Sequence, residues 1–278
     1  MPWLPEISRT SGADTPPPLA FYDGIRQLTP NALLKSWAGA PDLDTPSAGR
    51  ISSAANFILW VDQTRTWLAD SAAVVRPVYL SVEPGGRSFE EVAIDLTLDG
   101  ERVECPVAIV TDRAPDKRIR AIRVYHSMWP LTHGHEIRGP LLPSAPDLAV
   151  PDVVGEYQRA LAAADLEGVV ALYEETAYMR EPAGGEYVYE GRDAIRHIYS
   201  LAFADGAGIS LEHCSLTDDG VAVALEYNCG LWGRTPIPLQ AGVAVYQRGA
   251  TGRLAAARIY DDVAPPDISD SSRTQLVE

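Results

Sequence analysis

The sequence predicts an α+β protein built from two tandem copies of one unit, each a curved antiparallel sheet wrapped around helices. Three observations lead there. Helical periodicity followed by four strand-like segments occurs twice, with strands expected at 73–82, 88–98, 102–111 and 118–127, then at 209–216, 221–227, 237–247 and 254–262. The closing strands read alike, RIRAIRVYH at 118–126 and RLAAARIYD at 253–261. Between the copies lies a linker of prolines and small residues, 140–151.

Residues 1–18, with Pro16, Pro17 and Pro18, have little periodicity and read as an N-terminal tail. The first helical region, 19–37, breaks where Thr29 can cap and Pro30 can take a first helical position. A loop over 38–49 leads to a helix over 51–68 that carries Ala54, Phe57, Ile58, Val61 and Leu68 at helical intervals. In 88–98, Val92, Ile94, Leu96 and Leu98 alternate with Glu91, Ala93, Asp95 and Thr97, the pattern of a half-buried antiparallel strand. Asp99-Gly100 then signals a tight hairpin.

In the second copy Val154, Tyr157, Leu161 and Ala164 recur at helical spacing, and Asp165 caps a second helix with Val169, Val170, Leu172 and Tyr173. A strand over 176–181 and a helix over 192–203 come next, and Asp219-Gly220 reads as the counterpart of Asp99-Gly100. These turns lie 120 residues apart and the closing strands 135, so about 15 extra residues are expected in a longer loop at 228–238. The expected domains are 19–143 and 148–266, followed by a C-terminal tail at 267–278. They should meet through their sheets as an intrachain pseudo-dimer, with homo-oligomerisation left open.

At 278 residues, 46% of them hydrophobic, the chain can bury two cores. A formal charge of -15 excludes nucleic acid and anionic membranes as main partners, since both would be repelled. Cys105, Cys214 and Cys229 form no CxxC pair and read as reduced thiols. With no apolar run of membrane-spanning length and no basic, apolar leader, a cytoplasmic protein is expected.

Alternation over 176–181 sets Ala177, Met179 and Glu181 on one face and Tyr178 and Arg180 on the other. A carboxylate among apolar groups has its charged form disfavoured, so its pKa rises toward the range useful for proton transfer. On the closing strand Ala257, Ile259 and Asp261 share a face, with Arg258, Tyr260 and Asp262 opposite, which makes Asp261 a second pocket carboxylate. For both carboxylates the alternative is a solvated strand end. The first copy groups Ile122, Val124 and His126 in the same way. His133 and His135 have no clear third ligand, so no metal is expected, and Arg180 and Arg234 read as surface partners.

Tyr157, Asp165-Leu166-Glu167-Gly168, Glu181-Pro182-Ala183-Gly184 and Gly191-Arg192-Asp193-Ala194-Ile195-Arg196 occur in an order and spacing that resembles ketosteroid isomerase and the wider SnoaL-like, nuclear-transport-factor-2-like superfamily. The resemblance covers about a sixth of the chain. It implies a cone-shaped pocket, no cofactor, Glu181 at the place of the general base and Tyr157 at that of an oxyanion-stabilising phenol. Where the isomerase keeps a protonated aspartic acid, this chain has Ala241 beside Gln240. The implied activity is that of an isomerase, a cyclase or an epoxide-opening enzyme of hydrolase type. Its substrate would be small and apolar or polycyclic, polyketide- or terpenoid-like, as in secondary metabolism. Glu181, Tyr157 and Asp261 are the expected catalytic residues, and Met179, Gln240, Ala241, Ile259 and His126 the expected substrate contacts. The alternative is a non-catalytic member that binds a small molecule or a protein. In the first copy only Asp44 approaches a match to Glu181, so that copy is expected to be a degenerate partner with a small or filled pocket.

Overall fold

The N-terminal unit opens with two short helices, α1 (Phe21–Gln27) and α2 (Pro30–Leu34), joined at Thr29, whose hydroxyl accepts from Ala32 N–H at 3.2 Å. β1 (Leu43–Thr45), β2 (Gly49–Ile51), α3 (Ala54–Asp70), β3 (Val74–Val82), β4 (Ser88–Leu98), β5 (Glu101–Arg113), β6 (Ile119–Tyr125) and α4 (Trp129–Thr132) complete it. The C-terminal unit runs α5 (Asp152–Ala162), α6 (Leu166–Ala171), β7 (Tyr173–Arg180), β8 (Val188–Glu190), α7 (Gly191–Ala202), β9 (Ile209–Asp218), β10 (Ala222–Trp232), β11 (Thr235–Arg248) and β12 (Leu254–Tyr260). This computed structural model describes residues 20–82, 86–184 and 187–262, so the expected tails lie outside the described residues.

The strand orders are β2-β1-β6-β5-β4-β3 and β8-β7-β12-β11-β10-β9, the same topology twice. The expected antiparallel sheets are in fact mixed, because β1 pairs in parallel with β6, and β7 with β12. Part of the expected loop over 38–49 is therefore strand: Leu43, fully buried, sits opposite Ile122. In each unit the helices share one apolar cluster with the inner face of the sheet, Phe21, Phe57 and Val61 with Ile94 and Val107, and Val154, Tyr157 and Ile195 with Leu225 and Ala257.

The two expected spacings reduce to one. Asp99-Gly100 joins β4 to β5, whereas Asp219-Gly220 joins β9 to β10, so these turns are not counterparts. Nor is 228–238 a long loop, since Leu231 pairs with Pro236 and Trp232 with Thr235 across a turn at Gly233-Arg234. The strand expected over 237–247 begins at Thr235, and Pro236 and Pro238 disguise that start in the sequence. They are tolerated because β12 joins β11 only from Val243 onward, which leaves that stretch with a single partner.

The units meet outer face to outer face. Phe89, Ala108, Val110 and Tyr125 pack with Ala222, Ala224, Val243, Val245 and Tyr260 in a third apolar cluster. β4 is consequently buried on both faces around Phe89 to Ile94, not half-buried as its alternation suggests. Within this layer Glu91 accepts from Arg258 at both carboxylate oxygens, at 2.7 Å each, and from Tyr260 O–H at 2.6 Å. Reciprocally, Glu226 accepts from Arg123 Nη2 at 2.8 Å, from Arg123 Nε, and from Tyr125 O–H at 2.7 Å. Glu226, Arg258 and Tyr260 each lie 135 residues after Glu91, Arg123 and Tyr125. The exchange is therefore a pseudo-two-fold.

The linker is tied down as well. Ala145 N–H donates to His213 O at 2.7 Å and Asn228 Nδ2 to Leu142 O at 3.0 Å, and just ahead of the linker Arg138 O accepts from Ala241 N–H at 2.8 Å.

Removing one member of a buried pair leaves a desolvated charge, so Glu226→Ala should cost about 3–5 kcal/mol of unfolding free energy in urea. Replacing Arg123 and Glu226 together by Met should cost less than that single change. A double variant less stable than Glu226→Ala would show that the pair is not the source of the cost.

Candidate active site

β7 carries Glu181 to the inside of the C-terminal unit by alternation, with Ala177 and Met179 in the core and Arg180 on the other face. Past the strand, Glu181 N–H donates to Tyr187 O at 2.9 Å, which fixes the chain as it turns through Pro182. β12 runs parallel beside it, with Ala257 opposite Met179 and Arg258 opposite Arg180. The two strand ends, Glu181 on one and Ile259 and Asp261 on the other, therefore emerge side by side.

Both enter one cavity. Tyr157, Met179, Glu181, Gln240, Ile259 and Asp261 line it together with Ile198, Tyr199, Tyr227, Trp232 and Tyr246. Among its lining residues are two carboxylates and no Lys, Arg or His. Burial pushes Glu181 up to about 8, and the charge of Asp261 adds to the rise. Burial also raises Asp261, to about 6, against the pull of Tyr227, whose O–H donates to Asp261 Oδ2 at 2.7 Å, and with a further push from Asp262. Near neutrality the pair thus shares about one proton, with Glu181 the more basic of the two.

The phenols are donors in waiting. Tyr157 and Tyr199 hydroxyls bond to each other, and burial holds both well above the ordinary phenol range, so they stay protonated. Tyr157 also packs against Tyr246, ring centroids 5.2 Å apart, and Gln158 Nε2 donates to Tyr246 O–H at 2.8 Å. Tyr227 reaches Asp261 across Gly242, its register partner on β11. A Cβ at Gly242 would lie 2.6 Å from the Tyr227 ring, so only glycine leaves that path open.

Six of the eight expected residues come together here. Ala241 does not, because alternation on β11 turns Gln240 into the cavity and Ala241 into the layer between the units. His126 does not either. It lines a cavity of the N-terminal unit, and another that it shares with Ala241 and Asp261. Arg180, expected at the surface, is buried with its guanidinium over the Tyr260 ring at 4.5 Å. His133 and His135 are exposed, and no three His, Cys, Asp or Glu side chains among the described residues are grouped to hold a metal. Tyr199 and Tyr227 escape the sequence reading, although Val223, Leu225, Tyr227 and Cys229 alternate and Ile195, Ile198 and Tyr199 share a helical face.

In the N-terminal unit Asp44 pairs in register with Arg123 as Arg180 does with Arg258, which makes Thr45, not Asp44, the counterpart of Glu181. Both are followed by proline, Pro46 and Pro182. Asp44 turns away to bind Arg138. The expected small or filled pocket is instead a cavity of about 400 Å³. The helix pair above it is shorter, with 7 residues in α1 against 11 in α5.

Residues 154–257 match the model of the SnoaL-like domain family. This part of the chain is similar to the SnoaL-like domain. The match includes Tyr157 and Glu181 and stops short of Asp261. No match was found among curated proteins.

Several solved structures are similar to the chain over less than half its length. A protein thought to be a polyketide cyclase, from Sinorhizobium meliloti, is 21% identical over 40% of this chain and 94% of its own, with a TM-score of 0.34. A ketosteroid isomerase-fold protein from Catenulispora acidiphila, in complex with trimethylamine, is 15% identical over 41% and 88%, with a TM-score of 0.35. SalBIII, an epoxide hydrolase/cyclase-like enzyme in pyran ring formation in the polyether salinomycin, is 23% identical over 39% and 86%, with a TM-score of 0.33.

Tyr227 stabilises the ionised form of Asp261, so Tyr227→Phe should raise the Asp261 pKa above about 6. Gly242→Ala, which displaces the same ring, should act in the same direction. Carboxyl ¹³C titration of the C-terminal unit within the full chain reads both, and an unchanged Asp261 midpoint in Tyr227→Phe would refute the assigned contact.

Proposed function

We propose that the cavity of the SnoaL-like domain is the active site of a cofactor-free enzyme that moves a proton within a small apolar substrate, as an isomerase or a cyclase. One observation carries the reading: two carboxylates with raised pKa values share an apolar cavity that contains no cationic partner. A structural ion pair would depress those values. Groups poised near the working pH are what general acid–base catalysis requires.

In this reading ionised Glu181 removes a proton from carbon next to a carbonyl, and the electron pair moves onto the carbonyl oxygen. Tyr157, relayed by Tyr199, donates a hydrogen bond to that oxygen as it gains charge. Glu181 then returns the proton to a second carbon as the electron pair moves back from the oxygen, or, in a cyclase, to the alkoxide left when the enolate carbon closes a ring on a second carbonyl of the same substrate. Asp261 holds the pKa of Glu181 high, which makes it a stronger base once ionised. Met179, Ile259 and Gln240 line the substrate's path.

The free space between the walls is about 60 Å³, room for about two waters. Substrate therefore enters by displacing side chains. Trp232, at the exposed tip of the β10–β11 hairpin and in the cavity wall, is the group best placed to swing out.

A bicyclic ketone, 2-tetralone, tests the chemistry through the rate of hydrogen–deuterium exchange beside its carbonyl. Wild-type protein should accelerate exchange, with a rate that climbs with pH as Glu181 ionises around 8. Glu181→Gln should lose about 10²–10⁴-fold, and Tyr157→Phe roughly 10²–10³-fold at most. Exchange in Glu181→Gln at the wild-type rate would contradict the proposal, and so would acceleration that falls as pH rises from 6 to 9.

A further inference from the structure

The cavity of the N-terminal unit is the larger of the two, about 400 Å³, within the usual range of small-molecule sites. Tyr22, Trp60 and Trp67 face it along with Ile94, Val107 and Val124. None of its lining residues is Asp, Glu, Lys or Arg. A charged ligand would lose its hydration there and gain no counter-charge, so a neutral one is favoured. Broad aromatic walls suit a flat apolar body.

His126 supplies the polar contact. It occupies the place that Asp261 holds in the other unit, 135 residues on. Its Nδ1 lies 3.1 Å from Ser127 O, and since a carbonyl only accepts, Nδ1 carries the hydrogen and Nε2 keeps a lone pair. Burial lowers the His126 pKa, which keeps the ring neutral and Nε2 an acceptor. Nε2 has no hydrogen-bond partner among the described residues. Cys105, also in the wall, is no nucleophile, because burial pushes its thiol up to about 12.

We infer that the N-terminal unit is a second ligand site, which binds without catalysis a neutral, flat, largely apolar molecule through one hydroxyl or N–H donated to His126 Nε2. With Thr45 where the other unit has Glu181, this site has no carboxylate to move a proton. The inference does not depend on the activity proposed for the SnoaL-like domain.

Calorimetry on the full chain with 2-naphthol and naphthalene tests it. The hydroxyl should improve affinity roughly tenfold, about the value of one hydrogen bond. His126→Ala should erase that difference, Ile198→Trp, which fills the other cavity, should keep the tenfold preference, and Thr64→Trp in the cavity wall, added to Ile198→Trp, should abolish the remaining binding of both. If Thr64→Trp fails to fold, the ¹⁵N shift of His126 Nε2 in wild-type protein decides: a change on adding 2-naphthol supports the site. Absence of binding by wild type, a tenfold preference that survives His126→Ala, binding lost in Ile198→Trp, or an unmoved His126 resonance at saturation would each overturn it.

Discussion

Each unit gives an arginine and a tyrosine to a glutamate of the other, and those four donors all sit on the closing strands β6 and β12. Charges as deeply buried as Glu91 and Glu226 are tolerable only when both carboxylate oxygens find donors, as they do here. That requirement sets the register of one sheet against the other. It also orients the next residue along each strand. Tyr125 precedes His126 and Tyr260 precedes Asp261, so a tyrosine clamped on the outer face aims its successor inward by simple alternation. Asp262 completes the arrangement at the second strand end, where Ser127 Oγ, Met128 N–H and Glu136 N–H converge on its carboxylate at 2.9–3.0 Å.

The clamp creates an unusual electrostatic setting. The arginines needed to neutralise buried carboxylates are engaged between the sheets, and none reaches the cavity holding Glu181 and Asp261. Desolvation then acts on that pair without a cation to oppose it, and the two carboxyls separate into one neutral and one ionised group. Tyr227 widens the separation by bonding Asp261 alone. The same architecture with Thr45 and His126 in place of the two carboxylates gives the other unit an open, uncharged cavity.

Much of this is legible in the sequence. Period-2 alternation correctly sends Met179, Glu181, Ile259 and Asp261 to one side and Arg258, Tyr260 and Asp262 to the other, because strand geometry leaves little choice. The helix caps at Thr29 and Asp165 are readable for the same local reason. Anything that depends on a partner surface is not. Glu91 looks like the solvent face of β4, and Arg180 like a surface charge, since nothing local reveals that a second sheet covers them. The short Asp-Gly signals match across the repeat although they close different hairpins, and the prolines at 236 and 238 hide where β11 starts. Tyr199 and Tyr227 resemble ordinary core aromatics, and the small Gly242 that admits Tyr227 to Asp261 looks in the sequence like any other strand glycine.

Infrared spectroscopy reads a neutral Glu181 beside Asp261 directly, through the C=O stretch of the protonated carboxyl. Difference spectra between wild type and Glu181→Gln should show a protonated-carboxyl band at pH 7 that belongs to Glu181 and disappears with a midpoint near 8. If the wild-type protein shows no such band at pH 7, or its midpoint lies near the ordinary glutamate value, Glu181 is an ordinary ionised carboxylate and the central claim is wrong.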